Sequence, residues 1–351
     1  MELTRRALLQ HLSLAGAACA IGVPAMARAD GTGHEQDWQW LVGNWDVYHE
    51  RLRGRLEGST TWDKFGGKCN SWPTLGGLGN VDDCLLYLPS GTYRAFAPRA
   101  FDPVTGQWNI WWLDGRMAGK LDPPVRGTFT GNEGEFHGPD VYQGRKVDVR
   151  FRWHETHSKR PHWDQAYSTD SGKTWEINWR NYFTRTGAEP TPVALDPGEK
   201  AVAESADWAF LVGHWRVKNR KLKRDGSWET FDSTLRNHPV MGGLGNVGDN
   251  VFHAPSGKYR GVSMRAYDPA TKLWRSWWLD GRTPQDISPS VSGGFANGVG
   301  TLTGEDLVNG EKVQVRSRWS GITGTTAQWE QAISRDGKRW EPNWIAELER
   351  A

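Results

Sequence analysis

GGLGNVDDCLLYLPSGTYRAFAPRAFDPVTGQWNIWWLDGR runs from Gly76 to Arg116, and GGLGNVGDNVFHAPSGKYRGVSMRAYDPATKLWRSWWLDGR from Gly242 to Arg282. Aligned without a gap, the two stretches agree at 24 of 41 positions. The chain is a duplicated unit, and this block is the part that changed least between the copies. Both versions read as short apolar segments cut by turn chemistry: Pro89-Ser90-Gly91 and Asp102-Pro103 in one, Pro255-Ser256-Gly257 and Asp268-Pro269 in the other.

Working outward, the same texture fills each copy. In the first, strands are expected near residues 45–52, 59–65, 79–88, 93–101, 107–113, 127–130, 134–137, 146–154, 162–168 and 175–184. Val147, Val149, Phe151 and Trp153 alternate with Asp148, Arg150 and Arg152, one dry face and one wet. No helix-period segment interrupts a unit, so the strands form an antiparallel meander that closes on itself. The expected fold is all-β: two tandem barrels of about ten strands each, over residues 36–186 and 206–349. A Pro/Ala-rich linker, 187–205, joins them, with a short helix expected from the Asp196-Pro197 cap to about Ala206.

The segment before the first barrel reads as an address. Arg5-Arg6 is a twin-arginine start, a weakly apolar run spans Leu12–Met26, and Ala27-Arg28-Ala29 is a small-x-small cleavage signal. Gly16, Gly22 and Pro24 interrupt a run already short for a membrane span. Residues 1–29 are therefore expected to engage the twin-arginine export machinery and be removed, leaving the rest in the periplasm with no membrane attachment. Without Glu2, Arg5, Arg6 and Arg28 the chain carries 40 basic and 40 acidic residues. No basic stripe is left for phosphates, which argues against nucleic acid as a partner.

Cys19 leaves with that segment, so Cys69 and Cys84 remain and are expected to form a disulfide across a hairpin. Their counterparts are Leu235 and Asn250, so the fold itself does not need the bridge. Tryptophan is abundant, 22 residues, and many recur in register, including Trp45/Trp215, Trp111-Trp112/Trp277-Trp278 and Trp179/Trp344. Such rings supply the burial that short strands lack, and some of them can line a pocket.

A Gly-x-Trp on the first strand after a short helical turn resembles lipocalin and calycin barrels. The order LVGxW, WWLDGR and S.D.GK.WE.NW, repeated in the second copy with the last block one residue shorter (Ser334-Arg-Asp336-Gly337-Lys-Arg-Trp340), is similar to a bacterial family of lipocalin-like domains of unknown function. The resemblance implies the barrel and, from calycins as a group, a small apolar ligand; it carries no catalytic residues. Ser168-Thr-Asp170-Ser-Gly172-Lys-Thr-Trp175 also fits the Asp-box of sialidase propellers. It occurs only once per domain length, and reads as a hairpin turn.

Candidate chemistry lies at matched polar positions. Period-2 alternation puts Trp108, Trp112, Asp114 and Arg116 on one side of a strand, and Trp274, Trp278, Asp280 and Arg282 on the equivalent side. An inward Asp–Arg pair would anchor a ligand or serve as acid–base group; the alternative is a surface turn pair. The glycines of Gly76–Gly79 have no helix behind them for a phosphate, and instead bend a strand over the barrel mouth. The further ligand-contact candidates are Asn80, Asp83, Arg94 and Gln165, with Asn246, Asp249, Arg260 and Gln331 as their partners in the second copy; Arg99 and Arg265 are matched as well. His238 is a lone candidate haem ligand or base, and His154, Glu155, His157 and His162 a metal-like cluster; no metal or cofactor is expected as the main reading. The reading that results is a binding protein for a small apolar or aromatic molecule. An isomerase, lyase or hydrolase acting in a barrel, and a carbohydrate-binding module using exposed Trp, are the alternatives.

Overall fold

Each copy opens with a tight 3-10 turn, Gln39–Leu41 or Ala209–Leu211, that feeds a Gly-x-Trp sequence into its first strand. The tryptophan fixes the turn: Trp45 Nε1 donates to Leu41 O at 2.7 Å, and Trp215 Nε1 to Leu211 O at 2.8 Å. From the last strand an arginine lies on that ring, Arg185 4.1 Å from Trp45 and Arg350 4.5 Å from Trp215. Arg185 donates to Val42 O and Arg350 to Val212 O, so one side chain stacks on the ring and caps the turn's carbonyls.

The computed structural model describes residues 33–351 apart from Gly198, Asn309 and Gly310, and not the Val308 side chain. The export-signal reading of residues 1–29 lies outside the described residues. The first copy contains β1 (Gly43–Leu52), β2 (Trp62–Thr74), β3 (Gly79–Leu88), β4 (Gly91–Asp102), β5 (Gln107–Ile110) and β6 (Leu113–Asp114). It continues with β7 (Val125–Thr130), β8 (Glu133–Tyr142), β9 (Arg145–His154), β10 (His162–Ser168) and β11 (Glu176–Gly187). Neighbouring strands pair antiparallel in chain order except that β5 pairs with β7, the two-residue β6 lying against β4; β11 returns to β1, and β3–β4 pairing closes the ring.

The second copy forms a closed ten-stranded barrel. Its strands are β12 (Gly213–Leu222), β13 (Trp228–Val240), β14 (Gly245–Ala254), β15 (Gly257–Asp268) and β16 (Leu273–Asp280). Then come β17 (Val291–Ala296), β18 (Val299–Val308), β19 (Glu311–Ser320), β20 (Thr326–Ser334) and β21 (Glu341–Arg350). The described residues divide into two compact units, with the boundary along the chain after Glu199.

Both barrels are plugged at one end by a tryptophan just ahead of the first strand. Trp38 packs on Trp108, Phe129, Phe136 and Trp153. Trp208 packs on Trp274, Phe295 and Trp319. All of these pairs but the tilted Trp38–Phe136 are edge-to-face, a geometry that adds about 0.5–1.5 kcal/mol each beyond burial.

Two expectations are refined. Strand β2 runs through Gly66-Gly67 to Thr74 rather than stopping at Phe65, because Gly67 is needed inside the sheet. A Cβ there would overlap the ring of His49 and the carbonyl of Leu85. In the linker, the only helical turn among the described residues is the 3-10 turn Ala203–Ala206. The Asp196 carboxylate expected to cap a helix accepts from Tyr87 instead, Glu199 is held by Arg94, and the chain just upstream is bound to the first barrel. Asn70 donates to Thr191 O, Arg94 to Val193 O and Ala194 O, and Asp83 accepts from Val193 N.

Candidate functional site

Alternation along β12 sends Trp215, Val217, Asn219 and Lys221 inward, and along β15 Tyr259, Ser263 and Arg265. With Ser276, Trp278 and Asp280 from β16 and Ser317 and Trp319 from β19, they enclose a cavity of about 350 Å³. That volume is at the small end of the range for ligand sites, about 300–1,000 Å³. Trp278, Trp319, Trp329 and Trp344 supply its aromatic walls. Gly261 admits the Trp278 ring, since a Cβ there would overlap it. Ala95 stands at this place in the first barrel, and there the strand is interrupted at Trp111-Trp112.

One end of the cavity reaches solvent. Asp280 is buried while Arg282 is half exposed, and Asp280 accepts from Arg282 N, Nε and Nη2 at 2.9, 2.9 and 2.6 Å. The guanidinium lies 3.9 Å from the Tyr259 ring, and burial pushes the Tyr259 hydroxyl up to about 12. Lys221 is drawn below its ordinary pKa by burial and by Arg282, and its ammonium sits 4.1 Å from the Trp344 ring. The Asp-Gly-Arg segment is thus a self-capped turn and a cavity wall at once. Both Asp280 oxygens are engaged by Arg282, which suits an anchor more than a proton-transfer group.

The other end is dry. Arg265 is 5% exposed and lies 4.4 Å from the Trp208 ring and 5.3 Å from Trp319. Its Nη1 donates to Asn246 Oδ1 at 2.8 Å, its Nε has no hydrogen-bond partner, and burial alone pulls its pKa down to about 9. Between the ends, a β-bulge opposite Gln331 and Ala332 turns both Asn343 and Trp344 inward. Asn343 is buried with neither amide atom hydrogen-bonded.

The first barrel fills these positions. His49 replaces Asn219, stacks on Phe65 at 4.8 Å and pairs its Nδ1 with Asn181 Oδ1, with Trp179 Nε1 3.3 Å away. Phe151 replaces Ser317 and stacks on Trp163 at 5.2 Å. Gln165 Nε2 donates to Asn178 Oδ1 at 2.9 Å, and Asn178 is the counterpart of Asn343. Cys69 and Cys84, at paired positions on β2 and β3, are joined in a disulfide where the second barrel has Leu235 and Asn250.

Of the polar and aromatic site candidates singled out in the sequence, Arg265, Trp278, Asp280, Arg282 and Gln331 line the cavity. Asn246 stands behind it, accepting from Arg265 and from Asn237 Nδ2. Asp249 and Arg260 pair with each other at 2.8 Å on the parity opposite to the lining residues, which turns them to the outer face. Arg94 and Asp83 have the same outward parity and are engaged by the linker: Arg94 with Glu199 at 2.7 Å, Asp83 with Val193 N–H. His238 sits between inward Asn237 and the end of β13 and does not line the cavity; burial draws it down to about 4. Asn80 accepts from Arg99 at 2.9 Å, and Trp112 packs against Trp179. Asp114 and Arg116 repeat the Asp280–Arg282 turn, with Arg116 3.8 Å from the Tyr93 ring.

His154 and His162 of the histidine cluster stack at 4.9 Å, but both ring nitrogens of His154 and Nδ1 of His157 are committed to other partners. His154 uses Nδ1 on Glu133 and Nε2 on Asp164, while His157 pairs with Asn132. Among the described residues, the one group with metal-ligand spacing is Cys69, Asp82 and Cys84, whose sulfurs are already bonded to each other. The Asp-box segment is a hairpin turn: Asp170 accepts from Lys173 N and Thr174 N, and bonds from Thr174 and Ser168 hold its carboxyl down to about 2. Asn343 was missed in the sequence, although the matched Glu-x-Asn-Trp of both copies contained it; a bulge is what makes an odd neighbour face inward.

No family model matches the chain, and no curated protein matches it. Solved structures do. A protein of unknown function from Nostoc punctiforme, of the DUF3598 family, is similar over 91% of this chain and 99% of its own, at 14% identity and a TM-score of 0.28. A Trp-176-Ala mutant of transferrin binding protein B from Haemophilus parasuis matches over 88% and 75%, at 9% identity and a TM-score of 0.19. Kievitone hydratase from Nectria haematococca matches over 93% and 94%, at 9% identity and a TM-score of 0.14. At TM-scores this low the likenesses carry no argument about function, and the chain's own cavity has to supply it.

Proposed function

We propose that the protein binds a small, largely apolar or aromatic molecule inside its second barrel, and that the first barrel is a filled, supporting copy. The observation that carries this is the cavity itself: about 350 Å³ lined by five tryptophans, and left open by Ser317, Asn219, Leu235 and Asn250 where the first barrel sets Phe151, His49 and the Cys69–Cys84 bridge. Burying aromatic surface there is worth about 25 cal/mol per Å². With the leader read from the sequence, the setting of this binding would be the periplasm.

The test is uptake of N-phenyl-1-naphthylamine, read by quenching of Trp emission and by probe fluorescence. The expected result is one saturable site per chain. Ser317→Phe, which installs the first barrel's Phe151 beside Trp329, should weaken uptake at least tenfold. Non-saturable uptake, or a variant that binds like the parent, would remove the assignment. Native mass spectrometry of protein taken from its own cells, showing a retained small molecule, would identify the ligand.

A further inference from the structure

In the first barrel Arg99 is buried against Trp38 and paired with buried Asp82 at 2.7 Å. The second barrel keeps the arginine, as Arg265, on the equivalent ring, Trp208. It keeps the asparagine too, as Asn246. The carboxylate is gone: Gly248 occupies the place of Asp82. Among the described residues no acidic side chain pairs with Arg265; its Nε is unbonded, as is that of Arg99, so the carboxylate is what the second barrel lacks. A guanidinium this buried without a counter-charge is strongly unfavourable, and one amide oxygen with two ring faces offsets only part of that. Arg265 lines the cavity, so the missing charge can arrive from there.

We infer that the ligand carries a single carboxylate, seated on Arg265 at the dry end, in place of the Asp82 carboxylate that the first barrel supplies internally. This rests on the binding reading above and names the class of molecule: an aromatic or aliphatic acid whose apolar body lies along Trp319, Trp329 and Trp278. A single charge matches a single guanidinium, whereas a phosphate dianion would leave one charge buried and unpaired. Asn343, with both amide atoms free, offers a second polar contact part-way along. Arg265 and mouth-lining Tyr259 are six residues apart on β15, about 20 Å at ~3.3 Å per residue, so the ligand can be longer than it is wide.

The experiment compares 2-naphthoate with its uncharged counterpart 2-naphthamide by isothermal titration of the full chain at pH 7.5. The parent is expected to prefer the acid at least tenfold. Arg265→Gln should bring the two affinities within about twofold. Should that variant not fold, a second one rebuilds the first barrel's arrangement: Gly248→Asp, with Leu235→Ala and Ser263→Ala to clear the space a Cβ at Gly248 would need. The internal carboxylate should then erase the preference just as well. Equal affinities in the parent, or a preference that survives either variant, overturn the carboxylate assignment while leaving the cavity as a binding site. If neither probe binds the parent, the binding reading fails and this one with it. Inorganic phosphate competing as well as 2-naphthoate would also overturn it, since the apolar body would then contribute nothing.

Discussion

Asp82 Oδ2 accepts from Arg99 Nη2 at 2.7 Å inside the first barrel, with both side chains about nineteen-twentieths buried. Removing one partner of such a pair strands the other charge out of water. Asp82→Asn should therefore cost roughly 3 kcal/mol, read as a lower denaturant midpoint, and Arg99→Met added to it should recover much of the loss. A single variant that unfolds like the parent would show that the pair is better solvated than its burial implies.

His49 gives the first barrel an acid limit. Burial holds its pKa at about 4, against 6.5 for the free side chain. The unfolded chain takes up a proton near pH 6.5 while the folded one resists it down to about 4. The stability contributed by neutral His49 is thus complete above pH 6.5 and is lost as the pH falls toward 4, up to roughly 3 kcal/mol. Unfolding free energies measured from pH 7.5 to 4.5 should fall more steeply in the parent than in His49→Gln. Parallel curves would count against a buried neutral imidazole.

The Cys69–Cys84 bridge closes a loop of 15 residues between neighbouring strands. Chain-entropy arguments give such a bridge about 3 kcal/mol. Neither cysteine should react with iodoacetamide before reduction, and Cys69→Ala with Cys84→Ala should lower stability by about that amount while leaving probe uptake in the second barrel intact. Prompt labelling of the native protein would refute the bridge.

Asp280 and Arg282 should respond unequally. Arg282 is half exposed and Lys221 stays close enough to Asp280 to balance its charge, so Arg282→Gln is expected to change stability by less than about 1 kcal/mol. Asp280→Ala removes the acceptor of the turn's N–H and leaves a buried gap, and should cost about 1–2 kcal/mol. The comparison is made by urea unfolding; equal costs would mean the arginine is held more tightly than its exposure indicates.

The barrel was legible because its cause is local. Turn residues recur at close intervals, and β10, expected over 162–168, occupies His162–Ser168. The duplication shows nearly every strand twice, the exception being β16, whose place in the first copy is split into β5 and β6. The site was only partly legible, because identity between copies marks what both barrels share. Asp249 and Arg260 match Asp83 and Arg94, yet all four face outward, and a matched polar residue is as easily structural as functional. What distinguishes the cavity is where the copies differ: Ser317 for Phe151, Asn219 for His49, Gly248 for Asp82. A search for likeness passes over those positions. The register break at Asn343 was also out of reach, since no local propensity distinguishes a bulge from a regular strand there.

The chain between Glu189 and Glu199 is tied down on the first barrel by side-chain hydrogen bonds rather than left as a tether. Asn44 takes Glu189 O and Thr191 N, Tyr87 donates to Asp196, and Arg94 closes on Glu199. A fragment cut at Gly187, where the last strand ends, would leave Arg94 with neither its carboxylate nor its two carbonyls. Anyone separating the two halves must therefore give the whole segment to the first one. A protease able to reach an ordinary interdomain loop should find this one closed to it.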